Sequence, residues 1–272
     1  MIVFPNCKIN LGLNIVEKRN DGYHNLETVF FPIPIKDILE ILPSKSVETT
    51  FTQSGLSIAG TTNNNICIKA YHLLKSDFPT LPAIQMHLHK IIPMGAGLGG
   101  GSADGTFALQ IINELFNLKI PSEKLIQYSL QLGSDCPFFI HNKPCFARSR
   151  GELMELIDLD LSNYKIVVIN PGIHISTAWA FSNITPTLPN ISIRDIIKRP
   201  IENWKNELHN DFETPAINEF PIIGNIKDQL YEQGAVYASM TGSGSTLFGI
   251  FENSTTTEFQ LPDECTIFNV SL

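Results

Sequence analysis

Lys90–Leu109 reads KIIPMGAGLGGGSADGTFAL, with six glycines, at positions 95, 97, 99, 100, 101 and 105. Just before it, AIQMHLHKII alternates Ile84, Met86 and Leu88 with polar side chains, so a half-buried strand runs into the glycines. After it, Ala103, Phe107, Ala108, Ile111, Ile112 and Leu115 recur at helical spacing and predict an amphipathic helix. Strand, glycines, helix is a recipe for holding phosphate. Glycine accepts positive φ and puts no Cβ between backbone and ligand. The unpaired N–H groups of the first helical turn point one way, and the helix dipole adds partial positive charge. Each amide–anion bond is charge-assisted and contributes about 1.5–3 kcal/mol.

Two common phosphate loops fit this stretch poorly. Gly95 to Ser102 follows the Walker A spacing, but Gly101 stands where its lysine belongs. Gly95, Gly97 and Gly100 match a dinucleotide fingerprint. The region about 20 residues on, NLKIPSEK, leads into a helix instead of a second strand closed by an acid. Protein-kinase marks such as H-R-D and D-F-G are absent from the sequence.

Outward from the loop, CKINLGLNIVEK (7–18) alternates Ile9, Leu11, Leu13 and Ile15 against polar residues and predicts a strand. Asn20-Asp21-Gly22 marks a turn, after which Leu26, Val29 and Phe31 resume an apolar pattern. DILEIL (37–42) predicts another strand. NNNICIKAYHLLKSDF (63–78) predicts a helix with Asn64 or Asn65 as its N-cap. PSEKLIQYSLQLG predicts a shorter helix stopped at Gly133. Beyond residue 150, YKIVVINPG is a buried strand, and TPTLPNISIRDIIKRPIENW (185–204) reads as proline-punctuated loop. GNIKDQLYEQGAVYASMTGSGSTLFGIF (224–251) reads as helix, strand, glycine turn and strand. The change of texture predicts two domains, 1–152 and 153–272.

Composition narrows the function. The chain has 272 residues, 43% of them hydrophobic, enough for a sizeable core. A net charge of −8 argues against nucleic acid as the main partner. The five cysteines are scattered and never spaced C-x-x-C, which favours reduced thiols over a disulfide framework or zinc. Polar Asn6, Lys8 and Asn10 interrupt the N-terminus early, and no run approaches about 18 apolar residues. A cytoplasmic protein without a membrane span is expected, acting on a small molecule as a monomer or weak homodimer.

Three blocks together carry a family resemblance. PMGAGLGGGSADGTFAL (93–109) resembles the P-x-x-x-G-L-G loop of the GHMP kinases. MTGSGSTLFGIF (240–251) is similar to their C-terminal glycine turn. KINLGLNIVEKRNDGYHNLETVF (8–30), with its D-G-Y-H, resembles the member that acts on a cytidine diphosphate-linked methylerythritol. LGSDCPFF (132–139) and PGIHISTAWAF (171–181) extend the match over most of the chain, leaving 182–230 without support.

The resemblance implies an α/β (α+β) two-domain fold, its N-terminal half like ribosomal protein S5 domain 2 and its C-terminal half ferredoxin-like. It also implies ATP-dependent phosphorylation of that substrate's 2-hydroxyl, in isoprenoid precursor synthesis. Other GHMP acceptors (homoserine, mevalonate, a sugar) and a non-catalytic nucleotide-binding module stand as alternatives. Magnesium is expected to arrive with ATP, held by phosphates and water.

The resemblance also assigns roles, each beside a plainer reading. Asp135 is the family's catalytic aspartate, taking the hydroxyl proton; by position alone it is an N-cap for a short helix opened by Cys136-Pro137. Lys8 stands where the family lysine steadies developing charge, with Asn10 beside it; alone it reads as a solvated edge-strand lysine. Pro93, Met94, Gly95, Ala96, Gly97, Leu98, Gly99, Gly100, Gly101, Ser102 and Ala103 form the phosphate loop, and Asn65 lies near the adenine or is a plain cap. Tyr23 and His24 read the cytosine, with Phe181 as the other face and Thr177 a polar contact; Trp179 competes with Phe181, and loop cover is the plainer reading. Gly242 and Gly244 let backbone pass close to the substrate phosphates, or simply turn a hairpin.

Overall fold

The computed structural model describes residues 1–58, 61 and 64–272. In chain order the first elements are β1 (Ile2–Val3), β2 (Asn6–Lys18), β3 (His24–Lys36), β4 (Ile38–Pro43) and β5 (Thr50–Gly55). Next come α1 (Ile66–Asp77), β6 (Ile84–Lys90), α2 (Gly100–Leu115), α3 (Ser122–Leu132) and α4 (Cys136–His141). Three strands follow: β7 (Cys145–Ser149), β8 (Leu153–Leu156) and β9 (Tyr164–Asn170). Then come the helices α5 (Thr177–Ser182), α6 (Ile193–Ile196), α7 (Trp204–Glu207), α8 (Glu213–Glu219) and α9 (Pro221–Glu232). β10 (Tyr237–Met240), β11 (Leu247–Glu252) and β12 (Thr266–Ser271) close the chain. No helix of the described residues is long and apolar enough to cross a membrane.

The chain divides into two compact units. The first comprises Met1–Cys7, Ile35–Met94 and Gly99–Asn142. Its sheet has the order β1-β4-β6-β5, with β4 antiparallel and β5 parallel to β6. A parallel pair needs a crossover, which α1 supplies. The alternation in β6 does what the sequence asks: Ile84, Met86 and Leu88 are all but fully buried. They join Leu39 and Ile41 under a layer made by Ile68 and Leu74 of α1 and by Ala108, Ile111 and Ile112 of α2. Leaving this sheet at Lys90, the chain runs into the glycines and returns as α2, so strand and helix fix where the loop starts and ends.

The second unit comprises Lys8–Pro34, Gly95–Leu98 and Lys143–Leu272. It holds an antiparallel sheet of order β10-β11-β9-β12 and takes in most of another, of order β2-β3-β7-β8. β9 is central, and Ile166, Val167, Val168 and Ile169 are all fully buried, which explains its unbroken apolar run. Val167 and Ile169 pack with Ile223, Ile226 and Leu230 of α9 and with Phe251 of β11.

Residues 185–204 depart from the loop expectation. They contain α6, capped by Ser192 whose side chain accepts from the Arg194 amide, a 3-10 turn at Ile201–Asn203, and the start of α7. Ile193, Ile196, Ile201 and Trp204 are buried. Each helix is a single turn between prolines, too short for periodicity to reveal, and burial of its apolar residues holds it.

Candidate active site

In the first unit, α2 begins without a capping side chain. Its N-cap, Gly99, has φ +68° and makes no side-chain cap bond. The first-turn amides therefore remain available to an anion. Among the described residues, a Cβ built on Gly101 would meet nothing within 4 Å, so they leave the space over this turn open. A cavity of about 500 Å³ is lined by Asn64, Asn65, Met94, Gly101, Ser102 and Asp104, with Phe51, Ile58 and Ile66 as apolar wall. Apolar wall for a base and open amides for phosphates fit a nucleotide. Asn65 is also a true N-cap, since its Oδ1 accepts from the Cys67 amide at 2.9 Å; capping and cavity lining coexist. Pro93 is half-buried and Met94 exposed at the loop entrance, while Ala103 is buried in α2.

Asp135 occupies the N-cap position of α4, yet its side chain makes no capping bond. The side-chain capping bond that the plainer reading required is not made. A Cβ on nearby Gly133 would lie 3.4 Å from Cys136 Sγ and 4.0 Å from Ser102 Oγ, so the LGSD segment runs beside the first turn of α2. The Thr106 hydroxyl donates to the Cys136 carbonyl at 3.0 Å and ties the two segments together.

In the second unit, Lys8 is 3% exposed, which overturns the solvated edge-strand reading. A buried ammonium must find partners. Lys8 Nζ donates to Asn10 Oδ1 at 2.6 Å and to the Gly97 carbonyl at 3.2 Å, and lies 4.8 Å from the centre of the Phe30 ring. The Lys8 amide donates to the Leu98 carbonyl at 3.0 Å. Thr241 Oγ1 accepts from the Asn10 amide at 3.0 Å and lies 3.0 Å from Gly97 O and 3.2 Å from Asn10 Oδ1, donating its one proton to either. Asn10 Nδ2 donates to Thr28 Oγ1 at 2.9 Å. Gly97, at φ +79°, could carry no side chain, because a Cβ would sit 1.9 Å from the Thr241 carbonyl. Gly242 is also tight: its Cβ would lie 2.9 Å from Gly97 Cα. Gly242 and Gly244 do turn the β10–β11 hairpin, and Asn210 Nδ2 braces it by donating to the Met240 and Gly242 carbonyls. The exposed Gly95 lies near the His174 ring, while Ala96 and Leu98 are buried and anchor the loop.

A second group gathers around the D-G-Y-H turn. His24 stacks on Phe181, ring centres 4.7 Å apart and planes 22° from parallel. Phe181 in turn packs edge-on against Phe212 at 5.0 Å. Trp179 packs instead toward Phe220. Thr177 opens α5, the helix that carries Phe181. Tyr23 is 54% exposed, and the Arg150 guanidinium lies 4.9 Å from its ring centre. Asp21 shapes the turn by accepting from Arg19 and from the Tyr23 amide. Burial, with the nearby Lys18, pulls the His24 imidazole below the ordinary histidine range.

Sequence reasoning missed Thr241, a polar residue beside a glycine turn, and Asn210, which no motif or periodicity marks. It also missed a buried cluster of Asp37, Lys90 and Asp104. Here a signal existed: Asp104 precedes Ala108 and Ile111 by four and seven residues, which puts a charge on the apolar face of α2.

Comparison with known proteins gives the chain's family. Residues 65–143 match the GHMP kinases N terminal domain and 192–259 the GHMP kinases C terminal domain. The 4-diphosphocytidyl-2-C-methyl-D-erythritol kinase of Bacteroides fragilis is 52% identical over 253 residues, 92% of each chain. That of Bacteroides thetaiotaomicron is 51% identical over 93% of this chain and 92% of its own. A crystal structure of 4-(cytidine 5'-diphospho)-2C-methyl-D-erythritol kinase superposes with a TM-score of 0.79 at 28% identity, covering 92% of this chain and 90% of that one. Methanococcus jannaschii mevalonate kinase shares the fold alone, at 14% identity over 100% of this chain and 98% of its own, with a TM-score of 0.72. The chain belongs to the GHMP kinase family, in the branch of the 4-diphosphocytidyl-2-C-methyl-D-erythritol kinases.

Proposed function

We propose that this chain transfers the terminal phosphoryl group of ATP to the 2-hydroxyl of 4-diphosphocytidyl-2-C-methyl-D-erythritol. The family and the names of its relatives support a kinase acting on this alcohol. The observation that carries the reading is the His24–Phe181 stack beside Tyr23. It is an aromatic reader suited to a pyrimidine base, which a homoserine or mevalonate kinase would not need.

In this reading the open first turn of α2 and Gly95–Ala103 hold the triphosphate, with its base in the cavity beside Asn65. Magnesium comes with the nucleotide and screens its phosphate charge. Asp135 accepts the proton of the 2-hydroxyl as the oxygen attacks. Lys8, held by Asn10 and Gly97, stabilises the charge that develops. Tyr23, His24, Phe181 and Thr177 hold the cytosine, and Gly242 and Gly244 allow close backbone approach to the substrate's diphosphate. The halves that carry these roles are read as 1–152 and 153–272, in a cytoplasmic monomer or weak homodimer.

ADP release, measured across candidate alcohols with and without the cytidine headgroup, tests the proposal. Turnover should require the cytidine diphosphate-linked alcohol. Equal turnover of homoserine, mevalonate or a sugar would overturn the assignment, and no ADP release with any alcohol would indicate a non-catalytic nucleotide-binding protein.

A further inference from the structure

Within the first unit, the chain entering the glycine loop and the helix leaving it are tied to one buried ammonium. Lys90 Nζ donates to Asp37 Oδ2 at 2.5 Å and to Asp104 Oδ2 at 2.7 Å, and all three side chains are at most 2% exposed. Asp37 Oδ1 accepts the amides of Ile91 at 2.6 Å and Ile92 at 2.9 Å, the residues that lead into the loop. Asp104 belongs to the start of α2, and a Cβ on Gly100 would lie 3.1 Å from Lys90 Nζ. The ammonium therefore sits directly under the turn whose amides face the cavity.

The charges in this cluster do not balance: two carboxylates share one ammonium. Among the described residues, Asp104 Oδ1 is buried without a hydrogen-bond partner, and Asp104 borders the cavity. An ionised carboxylate with an orphaned oxygen is costly in a dry interior. Burial, opposed by Lys90 and reinforced by Asp37, pushes its carboxyl up to about 8. No second cation compensates among the described residues that act on it. Besides Asp37 and Lys90, the group that acts on it is the thiol of Cys67 on α1, which burial pushes up and keeps neutral.

We propose that the Asp37–Lys90–Asp104 cluster is the positioning device of the nucleotide site, and that Asp104 Oδ1 takes a proton from solvent when an anionic nucleotide binds. The inference rests on the nucleotide reading above. Phosphates held at the start of α2 add negative charge beside a cluster that carries an excess carboxylate as the pH reaches about 8. One O–H bond forms, water or buffer gives the proton, and the cluster becomes neutral. Asp104 does not touch the reacting atoms; it acts through the loop that Lys90 and Asp37 hold.

Calorimetric titration of the full chain with ADP, in two buffers of different ionisation enthalpy, counts the protons. Near pH 8 the wild-type protein should take up about half a proton per ADP, and its Kd should rise about ten-fold between roughly pH 7 and pH 9.5. Asp104→Asn keeps an acceptor for Lys90 without the titrating group, so it should show neither the uptake nor the pH dependence. A purely structural role would leave the proton count the same in both proteins. Wild-type binding without proton uptake, or equal uptake by the folded Asn variant, would overturn the proposal. Should circular dichroism show that the variant does not fold, the wild-type count decides alone. Failure of the wild-type protein to bind ADP at all would overturn the nucleotide reading, and this proposal with it.

Discussion

The Lys8 ammonium reaches the carbonyl of Gly97 at 3.2 Å, joining the first long strand to the middle of the glycine loop 89 residues away. The bond makes the loop's own backbone part of the environment of a buried charge. Its second acceptor, Asn10 Oδ1, is held by neighbours as well, so the ammonium is fixed in place before any ligand arrives. Lys8→Met removes the charge but leaves an apolar chain of similar length. The expected outcome is a loss of about 100-fold or more in kcat with little change in KM for ATP, measured by steady-state kinetics. A KM effect on ATP with unchanged kcat would show that Lys8 only shapes the loop.

Two glycines of the loop should behave oppositely. Gly97→Ala drives a Cβ against the Thr241 carbonyl at positive φ, so a loss of about 2 kcal/mol or more is expected in urea unfolding. Gly101→Ala meets none of the described residues, and alanine in a helical turn should add up to about 1 kcal/mol of stability. The same methyl occupies the space over the open amides. KM for ATP should therefore rise about ten-fold or more in a protein that melts no lower than wild type.

The aromatic cluster makes a separable prediction. Phe181→Ala removes the ring stacked on His24, and Tyr23→Ala removes an exposed ring beside it. Stacking on a base is worth about 1–3 kcal/mol, so each change should raise KM for the cytidine substrate about five- to 100-fold. KM for ATP should not move. Trp179→Phe, which alters the contact toward Phe220, should have little effect on either constant.

Stability should depend on pH through Asp104. Its folded carboxyl titrates near 8, well above the ordinary unfolded value near 4. Between those values the folded chain holds a proton that the unfolded chain has released. Its contribution is therefore fully present below about pH 4 and is lost as pH rises toward about 8, by up to about 1.4 kcal/mol per pH unit. Urea midpoints at about pH 5.5 and pH 7.5 should fall with pH in wild type, and the fall should be smaller in Asp104→Asn.

The sequence made the strand–glycine–helix unit legible because both flanking elements are long and one-sided: β6 buries every second residue, and α2 buries one face. Lys8, Asn10, Tyr23 and His24 were legible only as parts of a recurrent block, since a lysine on an alternating strand ordinarily faces water. Its burial depends on Thr241 and Gly97, residues distant in sequence that no periodicity connects to it. The one-turn helices between 193 and 207 were illegible for a simpler reason: a single turn shows no repeat. Asp104 gives only a weak signal, because a polar residue near a helix start is usually solvated, and only the approach of Lys90 and Asp37 makes it a buried charge.

Whether bare amides at the start of α2 grip the nucleotide's phosphates is best decided by a crystal structure with an unreactive ATP analogue. The phosphates should lie against the amides of Gly99–Ser102, with the base in the cavity beside Asn65. An analogue bound elsewhere, with no phosphate on that turn, would contradict the assignment of the loop and the roles built on it.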